Sequence, residues 1–88
     1  MAAVLIDGKR LAEDLSAALP ASAPMVSENM ALGEWELAIS SALAAFSSAD
    51  APLSGELRAR VEQLLDDPAL WHKFAAMIRR ELTRVPLA

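Results

Sequence analysis

The segment EWELAISSALAAFSS, residues 34 to 48, carries one of the two clearest periodic patterns in the chain. Its large apolar residues recur at i, i+4, i+8 and i+11, and they are Trp35, Ile39, Leu43 and Phe46. This spacing places all four on one face of an α-helix, where they can pack into a core. Glu34 and Glu36 lie in the first turn, where the positive end of the helix dipole favours carboxylates. The pattern predicts an amphipathic helix from Glu34 to about Ser48.

Two further helices are predicted before this segment. From about Asp7 to Leu19 the apolar residues again share one helical face, and Pro20 ends the helix because proline cannot continue the hydrogen-bond ladder. Ser27 is a suitable N-cap for a short helix over residues 28–32, which Gly33 ends or bends.

The C-terminal half predicts the remaining helices. Ser54 is a good N-cap for a helix whose apolar face is formed by Leu57, Val61, Leu64 and Leu65. On its opposite face, two oppositely charged pairs stand four residues apart, and we expect both to form: Glu56–Arg60 and Arg58–Glu62. An acid followed by proline, Asp67-Pro68, predicts the start of a last helix that runs to about Arg84. Its apolar stripe consists of Trp71, Phe74, Met77, Ile78 and Leu82.

Length and composition agree with these helices. A chain of 88 residues is expected to form one domain, residues 1–88. Hydrophobic residues make up 55% of it, and many of them are alanine, the best helix former. Residues that favour strands are scarce, with no tyrosine and two phenylalanines. We therefore predict an all-α protein, a compact bundle of four to five short helices.

The sequence offers little material for catalysis. There is no cysteine, and the single histidine, His72, has no partner at the spacing of metal ligands. The three glycines are isolated, so neither a phosphate loop nor a dinucleotide-binding motif is present. We expect no enzymatic activity, no metal and no cofactor.

Charge points to a basic partner. The formal net charge is −4, and residues 1–50 carry seven acidic residues against two basic ones. An acidic surface attracts basic proteins and repels nucleic-acid phosphates. Both tryptophans fall within apolar stripes and are expected to pack mainly in the core, although tryptophan is also enriched at interface hot spots. The candidate partner-binding residues are Glu28, Glu34, Trp35, Glu36 and Asp50.

The longest uninterrupted apolar run, Met1 to Ile6, is far shorter than the roughly 20 residues of a membrane-spanning helix. The first basic residues follow this run, whereas a secretory signal begins with positive charge. We expect a cytoplasmic protein without a membrane partner. Whether Met1 to Ile6 is helical, extended or disordered stays open.

The stretches Leu32-Gly33-Glu34-Trp35-Glu36-Leu37-Ala38 and Ala51-Pro52-Leu53-Ser54 resemble the MafI-type immunity proteins, which are small, acidic helical proteins encoded beside bacterial polymorphic toxins. The shared pattern is a Gly-Glu helix start, a helix rich in leucine and alanine, an Asp-x-Pro-Leu-Ser turn and an amphipathic helix, over residues 30 to about 65. The resemblance implies that the protein binds and blocks a cognate toxin. A cationic nuclease is the natural target, because acidic inhibitors gain steering and specificity against basic clefts.

Two other functions stay open. One is a structural or adaptor module that acts by homo- or hetero-oligomerisation, including a homodimer. The other is a DNA-binding regulator, suggested by Arg79, Arg80 and Arg84 and by two helices joined closely around residues 65–68. Against DNA binding, the connecting turn is acidic and the last helix has a broad apolar stripe. We therefore expect no nucleic-acid partner.

Overall fold

The computed structural model describes residues 7–88, and within this range it contains five α-helices and no strand. The helices are α1 (Gly8–Ala17), α2 (Pro24–Ala31), α3 (Trp35–Ser48), α4 (Gly55–Leu65) and α5 (His72–Arg84). The predicted all-α bundle of four to five short helices is confirmed. The open question about Met1 to Ile6 lies outside the described residues.

Helix α3 is the centre of the bundle, because α1, α2 and α5 all pack against it. Three of the four residues in its predicted apolar stripe are buried, and the fourth, Trp35, is half-buried. Small residues between them let the neighbouring helices approach, and the buried set of α3 is Ala38, Ile39, Ser40, Ala42, Leu43 and Phe46. The outer helices therefore bury one face against α3 or each other and leave another face to solvent.

Side-chain caps determine where two of the helices begin. The Ser54 hydroxyl accepts a hydrogen bond from the backbone N–H of Leu57 at 3.2 Å, as predicted. The Asp7 carboxylate accepts from the backbone N–H of Arg10 at 3.1 Å at the start of α1. Each cap satisfies a backbone donor that the first turn of a helix leaves without an intrahelical partner.

The predicted start of the second helix is wrong. Helix α2 begins at Pro24, so Ser27 lies inside it and is not its N-cap. Proline suits the first helical position because its φ is already helical and it has no N–H to satisfy there.

The predicted start of the last helix is also wrong. The Asp67 carboxylate accepts a hydrogen bond from the N–H of Ala69 at 2.9 Å, and the N–H of Leu70 donates to the Asp67 carbonyl at 3.1 Å. These bonds close one separate turn, and the backbone at Trp71 is then extended, with φ −60° and ψ 134°. Leu70 packs against the core, so α5 starts anew at His72.

The two ion pairs expected along α4, Glu56–Arg60 and Arg58–Glu62, do not form. Arg60 instead bonds to the carboxylate of Asp14 on α1, with an N–O distance of 2.8 Å. Arg58 donates to the carbonyls of Val85 and Pro86 at 3.1 and 3.3 Å. Half-buried charge-assisted bonds are stronger than exposed pairs along one helix. Both arginines thus connect α4 to other parts of the chain.

The described helices of residues 7–88 include none that is both long enough and apolar enough to cross a membrane.

Candidate partner-binding surfaces

The structure groups four of the five predicted partner-binding residues at the junction of α2 and α3. Glu28 is exposed on α2, Glu34 is exposed just before α3, and Trp35 and Glu36 are the half-buried first residues of α3. Asp50 follows the other end of this 14-residue helix. At a rise of 1.5 Å per residue, about 21 Å of helix separates Asp50 from the other four.

The junction itself is tightly closed. The N–H of Gly33 donates to the carbonyl of Met30 at 3.1 Å, and the N–H of Glu34 donates to the carbonyl of Asn29 at 2.9 Å. This is the Schellman pattern of a helix end, and it requires a positive φ, which Gly33 adopts at 74°. It holds the backbone of Glu34 beside the last turn of α2.

Asp50 occupies the same position at the end of α3, and its φ is 53°. Its N–H donates to the carbonyl of Ser47 at 3.0 Å, and the N–H of Ala51 donates to that of Phe46 at 2.9 Å. Aspartate is among the residues that tolerate this left-handed conformation. The structure therefore gives Asp50 a role in ending α3, at a distance from the α2–α3 junction.

Trp35 packs against the first residue of α1. A Cβ atom added at Gly8 would overlap the six-membered ring of Trp35, so only glycine allows this contact without a shift. Glu36, the next residue, lines a hollow of about 100 Å³ together with Asp67 and Leu70. Trp35 thus anchors α3 to α1, as its predicted core role requires.

Sequence reasoning missed two large apolar residues on the outside of α2. Met25 is 58% exposed and Leu32 is 72% exposed, and Glu28 is exposed between them. Positions i, i+3 and i+7 lie on one face of a helix, so these three side chains form one surface. Glu34 is exposed two residues after Leu32, and we call the four residues together the acidic α2 face. The spacing of Met25 and Leu32 could have revealed it.

The opposite side of α2 is fixed to α3. Val26 is fully buried, and the Asn29 amide donates to the hydroxyl of Ser41 at 3.0 Å. Since these contacts determine which side of α2 faces inward, they also determine which side faces solvent.

A second exposed surface lies along α5. All four basic residues of this helix are exposed on one side, with small residues between them, and we call this set the basic α5 face: Lys73, Ala76, Arg79, Arg80, Thr83 and Arg84. The single acidic residue of α5, Glu81, lies off this side, and its carboxylate is 3.7 Å from Arg84. Glu81 and Arg84 therefore form an i, i+3 ion pair within this helix.

Trp71 lies at the N-terminal end of the basic α5 face. It is 51% exposed, so the predicted core position is wrong. Its ring meets Phe74 edge-to-face at a centroid distance of 5.3 Å, and the Lys73 ammonium lies 5.3 Å from the ring centroid. Phe74 and Lys73 both belong to α5, so these aromatic and cation–π contacts lie within one helix and its N-cap. The backbone at Trp71 is extended, so Trp71 itself lies just outside the helix.

Charge is unevenly distributed between these parts. Residues 7–71 contain eleven acidic residues against four basic ones, whereas residues 72–88 contain one acidic residue against four basic ones. Within the described range, α2 and α5 both pack against α3 and do not contact each other. The acidic α2 face and the basic α5 face are therefore separate surfaces of opposite charge.

One carboxylate is electrostatically perturbed. The hydrogen bond from Arg60, with its charge and that of Arg10, holds the pKa of Asp14 below its usual value, although desolvation opposes the shift. These contacts link α1 to α4 and indicate a structural role.

Among residues 7–88, no group of three or more His, Asp or Glu side chains is arranged to hold a metal ion.

No family model matches this chain, and searches of curated proteins and of solved structures also find no match. The resemblance to MafI-type immunity proteins over residues 30 to about 65 stays a prediction.

Proposed function

We propose that this protein binds a basic protein partner through the acidic α2 face and blocks that partner, as an immunity protein neutralises its cognate toxin. The observation that carries the proposal is the pair of exposed apolar side chains, Met25 and Leu32, that flank the carboxylate of Glu28. An interface needs an apolar centre that excludes water and a charged rim that selects the partner.

The two kinds of residue on this face have different roles. Glu28 and Glu34 attract and orient a cationic surface, which mainly raises the association rate. Met25 and Leu32 lose their contact with water in the complex, which mainly slows dissociation. Trp35 packs against Gly8 and Glu36 lines a hollow with Asp67 and Leu70, so we give both residues a structural role. Asp50 is not assigned to the contact surface, because α3 separates it from the other residues.

The first test is affinity capture from the source organism with the tagged protein and two charge-reversal variants. E28K/E34K reverses the acidic α2 face, whereas E13K/E62K makes the same change in net charge at exposed positions of α1 and α4. We expect one basic protein to be retained by the wild type and the control, and its affinity for E28K/E34K to fall by at least about tenfold at low salt.

The second test asks whether binding neutralises the partner. The captured protein is expressed in a host with the wild type, with the control or with E28K/E34K, and growth is measured. Protection by the first two and its loss with the third supports the immunity function. Equal retention by all three proteins, or an acidic partner, would contradict the proposed face.

A further inference from the structure

The basic α5 face has no role in the proposed function and is the strongest unassigned feature of the molecule. Arg79 and Arg80 are exposed and belong to none of the ion pairs found in residues 7–88. Ala76 and Thr83 are small, so another helix can approach the backbone of α5 closely between the basic side chains. Exposed Trp71 and half-buried Met77 add apolar surface beside these charges.

Charge complementarity within the molecule identifies an occupant for this surface. We infer that the basic α5 face of one copy docks on the acidic α2 face of a second copy. Each face combines exposed charge of one sign with exposed apolar side chains, and the acidic α2 face supplies Glu28 and Glu34 opposite Arg79 and Arg80. The inference does not depend on the proposed toxin-type partner, although that partner would compete for the same acidic face.

Nucleic acid fits the basic α5 face less well. Residues 7–71 are strongly acidic and would repel a polyanion that extends beyond α5. Lys73 already lies over the ring of Trp71, so a base that stacks there would have to displace it. An acidic face of limited length can contact the basic α5 face without extending along residues 7–71.

The position of the two faces determines the form of the assembly. Because the two faces are different surfaces on different helices, a single contact between them is heterologous, and a pair joined by one such contact keeps one free face at each end. Further copies can then add, so the average mass should continue to rise with concentration beyond that of a dimer. The net charge of −4 opposes association, and contact between two helix faces covers a small area, so binding should be weak and salt-sensitive.

The experiment is analytical ultracentrifugation of the purified full chain, without any other partner, over a concentration series at low salt. The wild type and E13K/E62K should rise above the 9.4 kDa monomer mass and return to it at about 0.5 M salt, where screening is strong. E28K/E34K and R79E/R80E should each stay monomeric, with dissociation constants raised by at least about tenfold.

An equimolar mixture of E28K/E34K and R79E/R80E is the decisive sample. In the mixture, the lysines on the reversed α2 face of E28K/E34K can pair with the glutamates on the reversed α5 face of R79E/R80E. The unchanged α5 face of the first variant can also pair with the unchanged α2 face of the second, so association should return. Neither variant has a net positive charge, so nonspecific attraction between oppositely charged proteins does not explain such a result. Circular dichroism checks that each variant is folded, and R79Q/R80Q replaces R79E/R80E if the latter is not.

Three results would overturn the inference. The first is a wild type that stays monomeric at the highest concentration. The second is a mass that levels off at that of a dimer, with the same dimer formed by both E28K/E34K and R79E/R80E. Binding of a duplex DNA probe by a monomeric wild type, lost in R79E/R80E, would assign the α5 face to nucleic acid. Whichever of these results is obtained, the partner-capture test of the acidic α2 face can still succeed or fail on its own.

Discussion

The two tryptophans of the chain stand at similar positions, one at the first residue of α3 and the other at the residue before α5, and their surroundings differ. Trp35 packs over Gly8 and joins the hydrophobic core, whereas Trp71 is half exposed and contacts residues of its own helix. The difference arises because α1 crosses α3 beside Trp35. A helix start can therefore anchor the bundle or present a surface, depending on which element packs against it.

The largest expected effect is on the free energy of unfolding when each tryptophan is removed. Trp35→Ala should cost about 2 to 4 kcal/mol, because it removes a ring that packs between α1 and α3. Trp71→Ala should cost less than about 1 kcal/mol, because half of its side chain is already in solvent. Urea unfolding followed by circular dichroism measures both, and Trp35→Phe gives a milder change if W35A does not fold. Equal losses of unfolding free energy in W35A and W71A would contradict the different surroundings of the two tryptophans.

Gly8→Ala sharpens the account of Trp35. The added methyl group overlaps the Trp35 ring, and we expect a loss of about 1 to 3 kcal/mol from overpacking. Gly55 is the matched control, because a Cβ there meets no atom within 4 Å, and Gly55→Ala should be neutral or stabilising by up to about 1 kcal/mol. In a W35A background the cost of G8A should disappear, as a double-mutant cycle of unfolding energies would reveal. If G8A costs as much in the W35A background as in the wild type, the added methyl group clashes with a residue other than Trp35.

A smaller effect is expected at Asp14, which joins α1 to α4 through Arg60. Because its folded-state pKa is lowered, ionised Asp14 contributes stability above the unfolded-state pKa, and this contribution is lost as the pH falls through the folded value. Asp14→Asn should therefore be less stable than the wild type at neutral pH. The difference should shrink below about pH 4, near the ordinary aspartate pKa. Urea unfolding across this pH range measures it, with Glu13→Gln as the exposed control. A difference that is independent of pH would contradict the ionic explanation.

The smallest expected effect is on tryptophan fluorescence, which reports on the exposure of each ring. In Trp35→Phe the single remaining tryptophan is Trp71, and in Trp71→Phe it is Trp35. Fluorescence of the first variant should be quenched more strongly by acrylamide and should lie at longer wavelength, because Trp71 is in contact with water. Equal quenching in the two variants would mean that the two rings are equally accessible.

Much of the fold was predictable because local rules decided it. The apolar stripe of α3 and the Ser54 cap each depend on residues of a single helix and its N-cap. The start of α5 was not predictable from local rules, since the same local sequence is compatible with a capped turn at Asp67 and with a helix that begins at Pro68. Core packing of Leu70 decided between them.

The candidate surfaces were only partly predictable. Glu28 and Glu34 could be selected by charge alone, and the structure places both at the α2–α3 junction. Met25 and Leu32 belong beside them only because α2 buries its other side against α3. Asp50 was selected by charge as well, although the predicted helix from Glu34 to about Ser48 already implied that it lies at the other end of α3.

By itself, the sequence determined that this chain is helical, where most helices end and how its charge is divided, because alanine content, apolar spacing and proline or glycine breaks act over short distances. Only the tertiary structure decided which arginine bonds to which helix, which tryptophan is covered and which side of α2 faces outward. Those outcomes depend on contacts between residues far apart in the chain, such as Arg60 with Asp14 and Trp35 with Gly8. Spacing along one helix carries no information about them.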